Sequence, residues 1–186
     1  ELIHSASLIH DDIIDGDLMR RGQKTLNNVY GKKIAVLAGD ALYAKAFSIL
    51  SRSLPREIEN VITQVIERMC AAEIIQARET ETSKQEYFEI IKGKTAAFMS
   101  ACCRLGAALA GADEKGVSNF EQFGLNLGMI YQIVDDCIDN DSTALKYVTL
   151  KDAENLALES KYLLEIFNDS IYKTELLNLI NYILNL

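Results

Sequence analysis

Proline occurs once in these 186 residues. With so little punctuation and no sustained two-residue alternation, a succession of strands and turns is excluded. The four cysteines, Cys70, Cys102, Cys103 and Cys137, show no C-x-x-C spacing. This argues against a disulfide framework in a chain of this size, and small core-filling thiols in a reducing cytosol are expected. Basic residues are outnumbered 19 to 27, and the net charge of −8 argues against a nucleic-acid surface. No signal-peptide pattern occurs. One run, Ala96 to Ala112, could pass for a membrane span, but it contains Arg104 and is short of the roughly 20 residues a bilayer requires. The expectations are a cytoplasmic protein, not transmembrane, without nucleic-acid partners.

What is present is helical periodicity, and 49% hydrophobic side chains can bury one good core. The chain therefore reads as all-α. A first helix is expected from Glu1 to about Met19, ending near Gly22, with a polar loop through Asn27, Asn28 and Gly31. A second runs from about Lys33 to Arg52. Ser53-Leu54-Pro55 stops and restarts the chain, and a third helix reaches about Arg78. Ser83-Lys84-Gln85-Glu86 fits a capping box for a fourth, which Gly93 should break or bend before Lys94-Thr95. After a turn at Gly111-Ala112-Asp113, a fifth helix from about Lys115 carries Gly124 and Gly128 one turn apart, permitting close backbone approach. Asn168-Asp169-Ser170 separates the last two helices. Met69, Met99 and Met129 are expected in the core, and His4 and His10 to pack and hydrogen-bond.

The most informative stretch is His10-Asp11-Asp12-Ile13-Ile14-Asp15-Gly16-Asp17-Leu18-Met19-Arg20-Arg21-Gly22. At about 100° per residue, Asp11 and Asp15 lie about 40° apart around the helix, with Asp12 in the same quadrant. Like charges at this spacing destabilise a helix by a few tenths of a kcal/mol per pair, so the cluster makes sense with cations present. Hard oxygen ligands beside basic residues point to Mg²⁺ holding a phosphorylated ligand. Tyr131-Gln132-Ile133-Val134-Asp135-Asp136-Cys137-Ile138-Asp139 repeats the D-D-x-x-D spacing on a second helical stretch. Neither copy is an EF-hand: the third and twelfth positions are Ile13 and Gly22 in one, Cys137 and Lys146 in the other.

These motifs, together with Leu8-Ile9-His10, Val36-Leu37-Ala38-Gly39-Asp40, Glu73-Ile74-Ile75-Gln76, Lys94-Thr95 and Gly128 through Asp139, give nearly the whole chain a resemblance to the trans-polyprenyl diphosphate synthases. The resemblance implies an all-α isoprenoid synthase bundle with a central cavity, performing head-to-tail condensation of isopentenyl diphosphate with an allylic diphosphate, farnesyl or geranylgeranyl diphosphate being expected. It implies about three Mg²⁺: two on Asp11 and Asp15 and a third on Asp135, with Asp136 and Asp139 acting partly through water and Asp12 supporting the first site from behind. It assigns Arg20 to the allylic diphosphate, Arg21 to isopentenyl diphosphate and Lys94 to the allylic diphosphate. Thr95, Tyr131 and Gln132 would line the place where the carbocation forms, and Glu73 and Gln76 would flank the allylic tail. A polar seam between helices is an equal reading of Glu73 and Gln76, and a charge complement at a helix C-terminus is a rival reading of the arginine pair. Asp17 and Asp40 have no assigned role.

A homodimer is implied by the same resemblance. Glu1 begins inside an amphipathic helix, and the chain passes quickly from Asp141 to Tyr147. A single domain over residues 1–186 lacking an N-terminal segment and an internal segment after about residue 141 is therefore expected. In the family, bulky residues at the positions of Ala6 and Ser7 give short products. Both are small here, so products longer than C20 are expected. Two rival functions are a class I terpene cyclase, whose second metal motif differs from D-D-x-x-D, and a non-catalytic partner subunit of a heteromeric synthase, which commonly loses the aspartates or arginines retained here.

Overall fold

The computed structural model describes residues 1–53, 55–78 and 82–186. Its regular structure there is helical apart from one short hairpin, and it divides into two compact units, Glu1–Glu59 and Asn60–Leu186.

In the first unit, α1 (Leu2–Ile14) ends five residues earlier than expected. Asp15 caps it and Gly16 takes a φ of 73°, a left-handed value that glycine adopts without penalty. The chain then forms a hairpin that periodicity did not reveal. β1 (Met19–Arg20) pairs antiparallel with β2 (Gln23–Lys24), Met19 opposite Lys24 and Arg20 opposite Gln23. Arg21 and Gly22 make the turn with φ of 51° and 76°, the two positive values a tight hairpin turn requires. The expected polar loop contains a short helix instead, α2 (Leu26–Tyr30). Its asparagines tie down the preceding chain: Asn27 Nδ2 donates to the carbonyls of Asp12 and Asp17, and Asn28 Nδ2 to that of Leu18.

Next comes α3 (Lys32–Ser53), which packs on α1. The close approach occurs at Gly39, where a Cβ would overlap the imidazole of His10. Ala6, Ala35, Ala46 and Leu50 are buried. By length and composition, α3 is the one helix among the described residues that could cross a membrane; the run set aside in the sequence, Ala96 to Ala112, is not. On α3, Ile34, Val36, Leu37 and Ile49 are exposed.

Helix α4 (Arg56–Gln76) starts at Pro55, whose carbonyl accepts from the amides of Ile58 and Glu59. Leu54, at the expected stop, lies outside the described residues. In the second unit, α5 (Lys84–Ile91) opens on the expected capping box: Ser83 Oγ accepts from the Glu86 amide at 3.2 Å, and Glu86 Oε2 from the Ser83 amide at 2.9 Å. Gly93 does not break the helix. Residues Lys92–Ala96 form a π-helical turn that runs straight into α6 (Ala97–Leu109). A Cβ at Gly93 would come 2.8 Å from Ala72 Cβ and 3.1 Å from the Arg68 carbonyl, so glycine here lets α4 approach the turn. Such single π-turns concentrate at functional sites.

The core is built on α7 (Glu114–Ile138), whose Phe123, Leu127, Ile130, Ile133 and Val134 are buried. At about 1.5–3 kcal/mol for each large apolar side chain removed from water, this stripe is the main attachment of α7. Gly124 and Gly128 allow the expected close approach: a Cβ at Gly128 would overlap Ala96 Cα, and one at Gly124 would lie 2.6 Å from the Met99 carbonyl. A 3₁₀ turn at Ala144–Lys146 leads to α8 (Leu150–Leu163) and α9 (Ile171–Leu184), whose buried Ala153, Ala157, Ile180 and Ile183 join the same core. Met99 and Met129 pack against it. The four cysteines are helical and form no disulfide, but Cys70 and Cys102 are exposed rather than core-filling. They lie on the outward faces of α4 and α6.

Candidate active site

In the first unit the three aspartates separate by face. Asp15 is exposed and Asp11 partly so, whereas Asp12 is 5% exposed. Asp12 Oδ1 accepts from Arg20 Nε at 2.5 Å, and Asp17 Oδ2 lies 3.8 Å from Arg20 Nη2. The hairpin brings Arg20 back onto the helix that carries Asp12, leaving the Nη1 end of the guanidinium available. Arg21 is exposed at the tip of the turn. Arg20 thus meets a carboxylate in the last turn of α1, so the charge-complement reading describes its contact, whereas Arg21 makes no such contact among the described residues. His10 packs and hydrogen-bonds as expected: its Nε2 is 3.3 Å from the Val36 carbonyl and 3.5 Å from Asp40 Oδ1.

The second unit repeats the separation. Tyr131, Asp135 and Asp139, spaced four apart on α7, are all exposed. Gln132 and Asp136 form a second, half-buried stripe. Gln132 Nε2 donates to Asp136 Oδ1 at 2.9 Å, Gln132 Oε1 accepts from Thr95 Oγ1 at 2.9 Å, and Tyr87 OH donates to Asp136 Oδ2 at 2.7 Å. The π-turn sets the Thr95 end of this chain. Burial and the bond to Asp136 push the Tyr87 phenol well above its usual range, so it remains a proton donor. Lys94, beside Thr95, is held by Glu73 Oε1 at 2.7 Å and Gln76 Oε1 at 3.3 Å. The polar-seam reading of Glu73 and Gln76 therefore describes what they touch: they anchor Lys94.

The two small residues ahead of Asp11 differ in placement. Ala6 is fully buried and lies about 40° from His10 around α1, on the face turned to α3. Ser7 is about 40° from Asp11; it is also buried, its hydroxyl donating to the His4 carbonyl at 2.9 Å. Only Ser7 shares the face of Asp11, so the two chain-length positions are not equivalent.

Tyr87, Asn27 and Asp17 had no assigned role in the sequence. Tyr87 stands one turn before Ile91 and has the spacing of a core aromatic, so only its distant partner, 49 residues on, distinguishes it.

The donor set suits a hard cation. Asp11 and Asp15 end α1, Asp135 and Asp139 end α7, and neither helix has a basic residue in its last turn. Carboxylates at the negative end of a helix dipole are each disfavoured by roughly 0.3–1 kcal/mol, which a bound cation would offset. Partial desolvation, then Asp139 and Asp136, raise the Asp135 pKa, as expected of negative charge without a counter-ion. Among the described residues no three His, Cys, Asp or Glu side chains gather closely enough to hold an ion alone, so part of any coordination shell would come from ligand or water oxygens.

An all-α chain with two acidic helix ends, one of them paired with an arginine, has the character of an isoprenoid synthase. Comparison supports that class at the level of fold. A polyprenyl synthase from Caulobacter crescentus, solved with calcium and isoprenyl diphosphate, superposes with a TM-score of 0.90 at 22% identity, covering 100% of this chain and 76% of that one. The polyprenyl synthetase family description matches residues 1–175, and the chain belongs to that family. A geranylgeranyl diphosphate synthase from Sulfolobus acidocaldarius is 40% identical over 74% of this chain and 45% of its own length. Component 2 of the heptaprenyl diphosphate synthase of Bacillus subtilis is 38% identical over 77% of this chain and 42% of its own length. The chain thus spans just under half the length of these curated relatives.

Proposed function

We propose that this protein is a Mg²⁺-dependent trans-prenyltransferase that condenses isopentenyl diphosphate head-to-tail with an allylic diphosphate, farnesyl or geranylgeranyl diphosphate, and releases a polyprenyl diphosphate longer than C20. The observation that carries the reading is the retention, in a chain of the polyprenyl synthetase family, of all six motif aspartates and both arginines. About three Mg²⁺, held by Asp11 and Asp15 and by Asp135 with Asp136 and Asp139, would neutralise the departing diphosphate as the allylic C–O bond ionises.

The side chains divide the remaining work. Arg20, held in place by Asp12, binds the allylic diphosphate through its free end, and Arg21 binds isopentenyl diphosphate; their planar forks suit phosphate oxygens. Lys94 adds a charge that Glu73 and Gln76 hold in position. Thr95, Gln132 and Tyr131 offer hydroxyl, amide and aromatic groups to the allylic cation without a strong nucleophile to trap it. The released pyrophosphate takes the proton when the new double bond forms. The exposed apolar residues of α3 support a homodimer formed through that helix; cytoplasmic location and absence of a membrane span follow on this reading.

A partner-subunit role is the second reading, favoured by the similarity to a protein named as one component of a synthase. Incubation of the purified protein alone with farnesyl diphosphate, labelled isopentenyl diphosphate and Mg²⁺ separates the two. Labelled polyprenyl product supports the first, and product only on addition of a second subunit supports the other.

A further inference from the structure

Tyr87 comes from a helix with no acidic motif, yet it reaches the second aspartate cluster. Its ring is 6% exposed, stacked edge-on to Phe88 at 5.4 Å between centroids and tilted against Tyr147 at 6.0 Å. Its hydroxyl donates to Asp136 Oδ2 at 2.7 Å, within the range expected for a hydroxyl on a carboxylate. The other oxygen of Asp136 accepts from Gln132, and Gln132 accepts from Thr95.

We propose that Tyr87 is a positioning residue for prenyl transfer: by holding the Asp136 carboxylate it fixes the amide orientation of Gln132 and, through it, the polarity of the Thr95 hydroxyl. The argument is one of donors and acceptors. An amide side chain can present either its oxygen or its nitrogen to a hydroxyl. With Asp136 held, the nitrogen of Gln132 must face the carboxylate and its oxygen must face Thr95. The Thr95 proton is then used on Gln132, and the remaining lone pairs of Thr95 Oγ1 are left for an electron-poor carbon. If Asp136 turns away, the amide can reverse, and Thr95 would present its proton instead. That reversal replaces an attractive dipole with a repulsive one at a cationic centre.

This inference rests on the prenyl-transfer reading, and the experiment distinguishes the two. Tyr87→Phe keeps the ring and its packing and removes only the hydroxyl. Tyr147→Phe is the control: it belongs to the same aromatic group, but its hydroxyl donates to the Thr82 carbonyl at 2.6 Å and not to Asp136. Steady-state kinetics with farnesyl and isopentenyl diphosphates, and thermal midpoints, are measured for both. Tyr87→Phe should lower kcat about ten- to hundredfold, the effect of losing one hydrogen bond to a charged group, with KM for both substrates nearly unchanged. Tyr147→Phe should keep kcat at a similar loss of thermal midpoint. Adding Thr95→Val to Tyr87→Phe should lower kcat little further, because both changes break one chain. An unchanged kcat in Tyr87→Phe, equal losses in the two tyrosine variants, or fully multiplicative losses with Thr95→Val would overturn the assignment. A wild-type protein without product would instead overturn the prenyl-transfer reading.

Discussion

Asp12 and Asp136 hold the same place in two separate D-D-x-x-D clusters, and each uses its carboxylate on protein donors. Asp12 accepts from Arg20, and Asp136 accepts from both Tyr87 and Gln132. In each cluster the first and last aspartates remain on the outer face of the helix end. On the proposed reading the repeated spacing would combine two functions: carboxylates one turn apart that face cations, and one held by protein donors that would orient a substrate-facing group and could reach a metal only through water.

The first prediction follows from that division. Asp12→Asn removes the charge that fixes Arg20 but leaves Asp11 and Asp15 untouched. KM for the allylic diphosphate should rise about tenfold, as for loss of one charge-assisted contact, while the Mg²⁺ concentration at half-maximal rate stays near that of wild type. Asp11→Asn should do the reverse and move the Mg²⁺ dependence upward. A magnesium titration of turnover in the two variants reads both effects; identical shifts would remove the distinction.

The second concerns removal of the metal. Excess chelator should abolish turnover and weaken pyrophosphate binding measured by calorimetry, since the carboxylates of Asp11, Asp15, Asp135 and Asp139 would then repel the anion. Asp135→Asn should lower kcat by two or more orders of magnitude, roughly the scale of losing a metal ligand. Full activity in chelator would end the Mg²⁺ assignment.

The third tests packing through two glycines of the second unit. A Cβ at Gly128 would overlap the backbone of Ala96, whereas nothing lies within 4 Å of one at Gly106. Gly128→Ala should destabilise the protein by about 1–3 kcal/mol through overpacking. Gly106→Ala, exposed on α6, should stabilise it by about 0.5–1 kcal/mol through helix propensity. Urea unfolding of the two variants compares them directly.

The same glycines show how far the sequence could be read. Gly124 and Gly128 gave the close approach because their spacing puts both on one helix face. Gly93 pointed to a break, since a lone glycine between apolar stretches looks like punctuation; its neighbours on α4, which make glycine necessary, are about twenty residues away in the chain. The capping box at Ser83 and the turns at Gly111 and Asn168 were local, and the structure has each of them. The hairpin after Asp17 was not legible, because strands of two residues have no alternation to detect. The aspartates, Lys94, Thr95 and Gln132 could be picked out by motif. Their division into outward and inward groups required partners far along the chain, Tyr87 above all.

The fourth prediction is one of pH. Backbone and side-chain hydrogen bonds from Ser83 lower the Glu86 pKa below its ordinary value of 4.5. A carboxylate depressed in the folded state contributes stability above its unfolded pKa and loses it as pH falls through the folded one. Glu86→Ala should therefore lower the thermal midpoint at pH 7 and make a smaller difference at an acidic pH well below the ordinary carboxylate range, where the capping carboxylate is protonated in both states. A difference that stays constant between the two pH values would mean that the charge contributes nothing to the cap.

The last prediction concerns product length, and the structure redirects it from Ala6 to Ser7. A growing tail must extend away from the diphosphates along the helix that carries Asp11. Ser7 stands one turn below Asp11 and about 40° away around α1, whereas Ala6 is about 140° from Asp11 and shares its face with His10, against α3. A ring at Ser7 would fill space on the Asp11 side of the helix, four residues from the carboxylate, without removing a proposed ligand. A ring at Ala6 would press on α3 at a site with no exposed surface. Ser7→Phe should therefore shorten the products from above C20 towards C15 or C20 while the first condensation proceeds at nearly the wild-type rate. Ala6→Phe should chiefly destabilise the fold, by about 1–3 kcal/mol of overpacking. Chromatographic chain-length analysis, with thermal midpoints measured alongside, separates these outcomes. If Ser7→Phe leaves the product distribution unchanged, or the wild-type enzyme already stops at C15, the growing tail does not pass Ser7 and the long-chain assignment falls with it.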